Sequence, residues 1–215
     1  NKVFPVPGAP ANKIPFGILG KVGSGKTSIL DLITRLYDPS SGTIYIDNNN
    51  LKELNLETLR SQIGYVPQNP FLFSESIKEN IKFGRINSSI EEIKKAALCA
   101  SVNIDIENFS RKYETIVGER GLTLSGGQIQ RISLARAIIR DPKILILDDS
   151  LSSVDVKTEK EILKNLKKIR KNKTNIIVSH RTSSIKHCDK ILVLKKGKII
   201  EQGNHKNLID KKGYY

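Results

Sequence analysis

Eight residues near the start of the chain have the types and the spacing to hold a polyphosphate. Gly20-Lys21-Val22-Gly23-Ser24-Gly25-Lys26-Thr27 fits the pattern G-x-x-x-x-G-K-[ST]. The glycines let the backbone curl and turn successive N–H groups toward phosphate oxygens. A helix starting at that point adds its N-terminal dipole. Lys26 supplies a point charge for β- and γ-phosphates, and Thr27 offers a hydroxyl to Mg²⁺. A matching acidic group follows the apolar run Ile144-Leu145-Ile146-Leu147, which ends in Asp148-Asp149. Four apolar residues put that strand inside a sheet, and Asp148 emerges at the carboxyl edge, where open α/β sheets bind ligands. Asp148 is thereby placed to hold Mg²⁺, directly or through water. A third segment, Leu124-Ser125-Gly126-Gly127-Gln128, precedes an apolar-periodic stretch. A serine and two glycines at a helix N-terminus make another anion site.

These groups need a scaffold, and the flanking patterns supply one. A short apolar run at 16–19 leads into the glycine loop, and Ile29, Leu30, Leu32, Ile33 and Leu36 then recur at helical spacing until Pro39 and Gly42. Strands are expected at 43–47, 63–66, 143–147, 175–178, 190–194 and 198–200. Helices are expected at 91–100, 126–140 and 157–170, the last with Ile162, Leu163, Leu166 and Ile169 on one face. Strands alternating with helices predict an α/β fold whose mostly parallel sheet is covered on both sides. The helical middle reads as an inserted lobe at 69–140, leaving 1–68 and 141–215 as the core. Four of the eight prolines fall in the first fifteen residues, which allows only broken strand there.

Composition narrows the function further. The chain has 215 residues, 38% hydrophobic and 27% charged, enough for one sizeable core with a small lobe. Its longest purely aliphatic run has four residues, against the ~20 that a membrane span needs. No signal-peptide pattern opens it. It contains no Met, so it is expected to be a processed or excised piece of something larger. Cys99 and Cys188 lie far apart and read as reduced thiols of a cytosolic protein, and three scattered His assemble no zinc set. The net charge of +14 invites an anionic partner. Lysine is abundant throughout, however, and only the 157–173 helix concentrates it, so that helix reads as a solvated face. The alternative for it is an anionic membrane surface.

The string LSGGQIQR, followed 20 residues after Gln128 by Asp148, resembles the nucleotide-binding domain of ABC transporters from Ile18 to the C-terminus. That resemblance implies a P-loop NTPase with a RecA-like core, and ATP with Mg²⁺ as ligands. It extends nucleotide binding to Lys21, Val22, Gly23, Ser24 and Ser28 around the glycine loop (Walker A), and to Ser125, Gly126, Gly127 and Gln128 (the signature). Gln68 in YVPQNPFLF is similar to the Q-loop glutamine, which contacts Mg²⁺ and the attacking water. Ser152-Ser153-Val154-Asp155 is similar to the D-loop, and His180 in IIVSHR to the switch histidine. The segment 115–121 and the tail EQGNHKNLI resemble exporters rather than importers or soluble members of the superfamily. The implied partners are a transmembrane domain and a second nucleotide-binding domain, paired head to tail as a homodimer or heterodimer. The glycine loop of one and the signature of the other then enclose each ATP, at the cytoplasmic face of a membrane. Phe71, Leu72 and Phe73 are candidates for the groove that receives the transmembrane partner, with plain core as the equal alternative. A soluble nucleic-acid-associated ATPase is the competing class. No nucleic acid is expected, because the six Phe and six Tyr form no stacking platform.

Two features depart from the family pattern. The residue after Asp148 is usually Glu, which polarises the attacking water, but here it is Asp149, one methylene shorter. This predicts a slow site, as in one subunit of bacterial heterodimeric multidrug exporters, or a nucleotide-gated clamp that supports a catalytic partner. The family's antiparallel strands before the glycine loop are also expected to be truncated. Phe4 is the adenine-stacking candidate there besides Phe16, which is expected to lie in the buried strand.

Overall fold

The computed structural model describes residues 4–5, 15–118 and 124–215. In chain order the first stretch forms β1 (Phe4–Pro5), β2 (Pro15–Gly20), α1 (Lys26–Ile33), β3 (Ile44–Ile46), β4 (Asn49–Asn50) and α2 (Leu56–Ser61). The middle forms β5 (Ile63–Val66), α3 (Ile77–Lys82), α4 (Ile90–Cys99), α5 (Asn103–Asn108), α6 (Gly126–Ile139), β6 (Ile144–Asp148) and α7 (Val156–Ile169). The end forms β7 (Thr174–Ser179), α8 (Thr182–Ile185), β8 (Lys190–Lys195), β9 (Lys198–Gly203) and α9 (His205–Asp210). Two compact units result: one from residues up to Ile63 together with Asn172–Tyr215, the other from Gly64–Lys171.

In the first unit the strand order is β7-β2-β8-β9. β2 runs parallel to β7, with Leu19 opposite Ser179, and parallel to β8, with Gly20 opposite Leu194. A strand flanked by parallel neighbours is buried on both faces, and Ile18 and Leu19 are buried accordingly. β8 and β9 close as an antiparallel hairpin. Its turn residues Lys196 and Gly197 both have positive φ, the backbone of a two-residue turn that matches strand twist. A small separate sheet pairs β1 parallel to β3 and β3 antiparallel to β4. Among the described residues the expected antiparallel N-terminal part is therefore mixed, with β1 and β3 paired in parallel.

In the second unit β5 lies beside β6, whose five residues are all buried. α6 packs against α3 and α4. It buries residues around most of its circumference, including Gln130, Ile132, Leu134 and Ala135. α4 starts on a capping box, in which Ser89 and Glu92 each bond the other's backbone N–H.

The pattern-based bounds shift in places. α1 ends at Ile33, so Leu36 lies outside it and is 60% exposed. On α7 the apolar face stops at Leu166. Ile169 is exposed, while Arg170 is buried and donates to the carbonyls of Pro142 at 2.9 Å and Lys143 at 3.5 Å. Two backbone carbonyls accept from the guanidinium there, and burial lowers its pKa to about 10. The compact units divide at 63/64 and 171/172. β6 and α7 group with the helices because α7 packs on α4 and Asn165 donates to the Cys99 carbonyl at 3.3 Å. Both cysteines are free and buried, and burial raises the Cys99 thiol to about 11 and the Cys188 thiol to about 12.

Asn80 is the polar keystone of the second unit. It is 1% exposed. Its Oδ1 accepts from the Phe73 N–H at 2.8 Å and from Arg136 Nη2 at 2.7 Å. Its Nδ2 donates to the carbonyls of Phe73, Glu75 and Ser76 at 3.0, 3.2 and 3.1 Å. Asn80→Leu leaves these buried partners unmatched and is expected to lower stability by about 2–4 kcal/mol, read as a shift of the urea unfolding midpoint.

Candidate nucleotide-binding site

The glycine loop leaves the carboxyl end of β2 and enters α1. Gly25 sits at the N-cap with φ of 96°, a conformation that L side chains avoid. Among the described residues no side chain caps α1, and its first turn carries no acidic residue. Its first N–H groups therefore face outward without a built-in acceptor. Lys26 folds back over the loop and donates to the carbonyls of Gly20 at 2.7 Å and Lys21 at 3.0 Å. Ser24 is buried, and its Oγ has no hydrogen-bond partner. A buried orphan hydroxyl is uncommon, and it lies in the loop whose chemistry calls for an anion. A Cβ at Gly20 would stand 2.2 Å from that Oγ. Val22 is 97% exposed at the loop tip. Thr27 and Ser28, in the first turn of α1, are exposed as well.

Other parts of the first unit brace this loop. The Gly197 N–H of the β8–β9 turn donates to the Ser24 carbonyl at 3.0 Å. Lys21 Nζ lies 6.0 Å and Lys195 Nζ 4.8 Å from the centre of the Tyr214 ring. His180 follows β7 directly, is exposed, and extends from the strand whose Ser179 pairs with Leu19. The parallel register therefore brings His180 and the glycine loop to the same edge of the sheet. Phe16 lies in β2, half-buried. The side chain of Phe4, the other adenine-stacking candidate, lies outside the described residues, as do Glu119, Arg120 and Gly121 of the 115–121 segment.

In the second unit, Asp148 ends β6, is 7% exposed, and accepts from the Tyr65 hydroxyl at 3.0 Å through Oδ2. Tyr65 belongs to β5, and Gln68 follows that strand with its side chain exposed. Asp149 has φ of 48°, a left-handed backbone in which Asp is several-fold enriched. Among the described residues, no cluster of three or more His, Cys, Asp or Glu could by itself hold a metal.

Ser125 is the N-cap of α6 in a full capping box. Its Oγ accepts from the Gln128 N–H at 3.2 Å, and its own N–H donates to Gln128 Oε1 at 3.0 Å. Gly127 is glycine because of close approach: a Cβ there would stand 2.9 Å from the Ser153 carbonyl oxygen. Gln130, one turn on, is 4% exposed. Its Oε1 accepts from the Ser153 N–H at 3.0 Å, and its Nε2 donates to Ser152 Oγ at 3.3 Å. The signature turn and the 152–155 loop are thus bound into one body. Asp155 closes that loop by accepting from the N–H groups of Lys157 and Thr158, both at 3.0 Å, which caps α7. The backbone and side-chain bonds from Thr158 hold its carboxyl below the usual range. Gln130 and Tyr65 carry no role in the sequence reading. Their part is set by partners 22 and 83 residues away, which local pattern does not reveal.

The three receiving-groove candidates separate. Leu72 is 1% exposed and belongs to the core, whereas Phe71 is 56% exposed. Phe73 lines a groove of about 410 Å³ together with Glu75, Glu79, Lys82, Phe83 and Ile86. No helix of the described residues is long and apolar enough to cross a membrane.

Comparison with known proteins gives a consistent result. The ABC transporter family pattern matches residues 13–152. The chain is 50% identical over 199 residues to the "Uncharacterized ABC transporter ATP-binding protein YknU" of Bacillus subtilis, covering 93% of the chain and 34% of that protein. It is 50% identical over 200 residues to the "Multidrug resistance-like ATP-binding protein MdlA" of Buchnera aphidicola, covering 93% and 34%. It is 46% identical over 206 residues to the mitochondrial "ABC transporter B family member 24" of Arabidopsis thaliana, covering 96% and 30%. A solved bacterial Atm1-family ABC exporter with ATP bound superposes with a TM-score of 0.93 at 39% identity, covering 95% of this chain and 36% of that one. The chain thus spans about a third of the length of these relatives. On its glycine loop, its signature turn and this similarity, the chain belongs to the ABC transporter family as an ATP-binding, ATPase domain.

Proposed function

We propose that this domain binds and hydrolyses ATP with Mg²⁺ to power export of a substrate across a membrane, paired head to tail with a second such domain. The observation that carries the reading is the glycine loop: an uncapped helix start, a lysine folded over it and a buried serine hydroxyl without a partner. These groups suit a polyphosphate, which accepts hydrogen bonds from all three. The Thr27 hydroxyl, the Asp148 carboxylate and the Gln68 amide are hard oxygen donors of the kind Mg²⁺ takes. When bound, the ion neutralises charge on the phosphates.

The chain's own residues then have distinct tasks. Lys26 exchanges its two carbonyl partners for phosphate oxygens. Asp149 polarises the attacking water, and Gln68 and His180 position that water and the γ-phosphate. Ser125, Gly126, Gly127 and Gln128 present N–H and hydroxyl donors to the ATP held by the partner domain, with Asp155 beside them. ATP then holds the two domains closed and hydrolysis releases them. The groove at Phe73, Phe83 and Ile86, rimmed by Glu75 and Glu79, receives the transmembrane domain, which places this domain at the cytoplasmic face of the membrane.

A second reading is favoured by Asp149 itself, whose left-handed backbone suits a short side chain. It makes this chain a nucleotide-gated clamp with a slow site beside a catalytic partner. Single-turnover hydrolysis with and without the partner domain separates the two. Hydrolysis by this chain's own glycine-loop site supports the first reading. ATP binding with hydrolysis only at the partner's site supports the second. Failure to bind Mg-ATP removes both. Gly127→Ala is expected to lower turnover of the paired domains by about tenfold or more, because the added methyl pushes the turn off Ser153 and a shift of about 1 Å at a reacting site is costly. ATP binding at the glycine loop of the same chain should persist in a filter-binding assay.

A further inference from the structure

Asp105 lies in α5, far in sequence from the motifs, with its side chain 27% exposed. Its Oδ1 accepts from Gln128 Nε2 at 3.0 Å and from Arg131 Nη2 at 3.3 Å, and its Oδ2 accepts from Arg131 Nη1 at 2.7 Å. Arg131, 13% exposed, also donates through Nε to the Gly127 carbonyl at 3.2 Å and through Nη1 to the Ser101 carbonyl. Burial opposes ionisation of Asp105, but the bonds from Arg131 and Gln128 outweigh it and hold the carboxyl below its usual range.

We propose that Asp105 is a positioning residue for the signature turn: its carboxylate fixes Gln128 and Arg131, and through them the Ser125–Gly127 end of α6. A carboxylate only accepts hydrogen bonds, so it takes the nitrogen end of the Gln128 amide. The amide oxygen is thereby turned back onto the Ser125 N–H, where it is found at 3.0 Å. With the backbone fixed in this way, Ser125 Oγ accepts from the Gln128 N–H and keeps its hydroxyl hydrogen for an external acceptor. Arg131 fastens the other side of the turn by holding the Gly127 carbonyl. The pair also balances charge, since the carboxylate is neutralised by Arg131 and does not repel an arriving phosphate. The turn is therefore set before nucleotide arrives, which lowers the ordering needed on binding.

The inference rests on the reading of this turn as a phosphate-receiving surface, and the test keeps the two apart. Steady-state ATP turnover is measured on the transporter in its native assembly. Asp105→Ala is expected to lower kcat/KM for ATP by about tenfold, the effect of one charge-assisted bond. Gln128→Ala is expected to do about the same, and the double variant to be no more than about twofold worse than the poorer single, because both act through one path. Multiplicative losses approaching a hundredfold mean that Asp105 acts independently of Gln128 and overturn the proposal. So does unchanged turnover in Asp105→Ala. If Asp105→Ala does not fold, the near-isosteric Asp105→Asn carries the test. It should lose about fivefold, from the lost charge on Arg131, and be equally non-multiplicative with Gln128→Ala. Ser125→Ala provides the separating control. Impaired turnover there with normal Asp105 variants sinks only the positioning role, whereas normal turnover in Ser125→Ala removes the reading of the turn and the proposal with it.

Discussion

Asp149→Glu is expected to raise steady-state ATP turnover of the paired domains by about tenfold to a hundredfold. Asp149 follows the end of β6, whose buried residues fix the position of the backbone. The side chain therefore sets how far the carboxylate reaches, and in the proposed role of Asp149 one methylene decides whether it meets the attacking water. The left-handed φ of 48° at this position works against the longer residue and should lower stability by roughly 1 kcal/mol. A small fall in melting temperature with a large gain in kcat is the pattern to look for in coupled-enzyme kinetics and thermal unfolding of the same preparation. An unchanged kcat would show that another feature limits the site.

Lys26→Ala should have the opposite and larger effect, lowering affinity for Mg-ATP by about a hundredfold or more. Two losses combine. In the proposed function the ammonium is the charge that faces the phosphates, and through its bonds to the Gly20 and Lys21 carbonyls it also braces the curled loop. Lys26→Arg should restore little, because a planar fork cannot sit where a compact ammonium satisfies two adjacent carbonyls. Titration calorimetry with Mg-ATP measures the loss, and circular dichroism checks that the fold is retained. Binding within threefold of the parent protein would contradict the assigned role of Lys26.

The two effects also differ in where they act. Lys26 belongs to the first unit and Asp149 to the second. A change in binding with no change in the rate of bound nucleotide, against a change in rate with no change in binding, would follow that division.

The sequence alone determined the local motifs, which depend on consecutive residues. A glycine loop between an apolar strand and a helix, an aspartate ending an apolar run and a serine–glycine helix cap each act through neighbours in the chain. Backbone conformation and capping are local, so their residues can be read in order, and the ABC transporter family pattern matches residues 13–152. The buried strands β6 and β8 were legible for the same reason, since the four apolar residues in a row at 144–147 and 191–194 have few other uses. The helices α2, α8 and α9 were not, because four to six residues carry less than two turns of period. Only the tertiary structure decided which groups hold the motifs in place. Asp105 reaches Gln128 across 23 residues, Arg136 reaches Asn80 across 56, and Arg170 takes an inward position that hydrophobic spacing gives to Ile169. Each of these is a polar side chain satisfied by a distant partner. A single sequence carries no sign of such a pairing, because the energy that favours it arises only when folding removes both groups from water together.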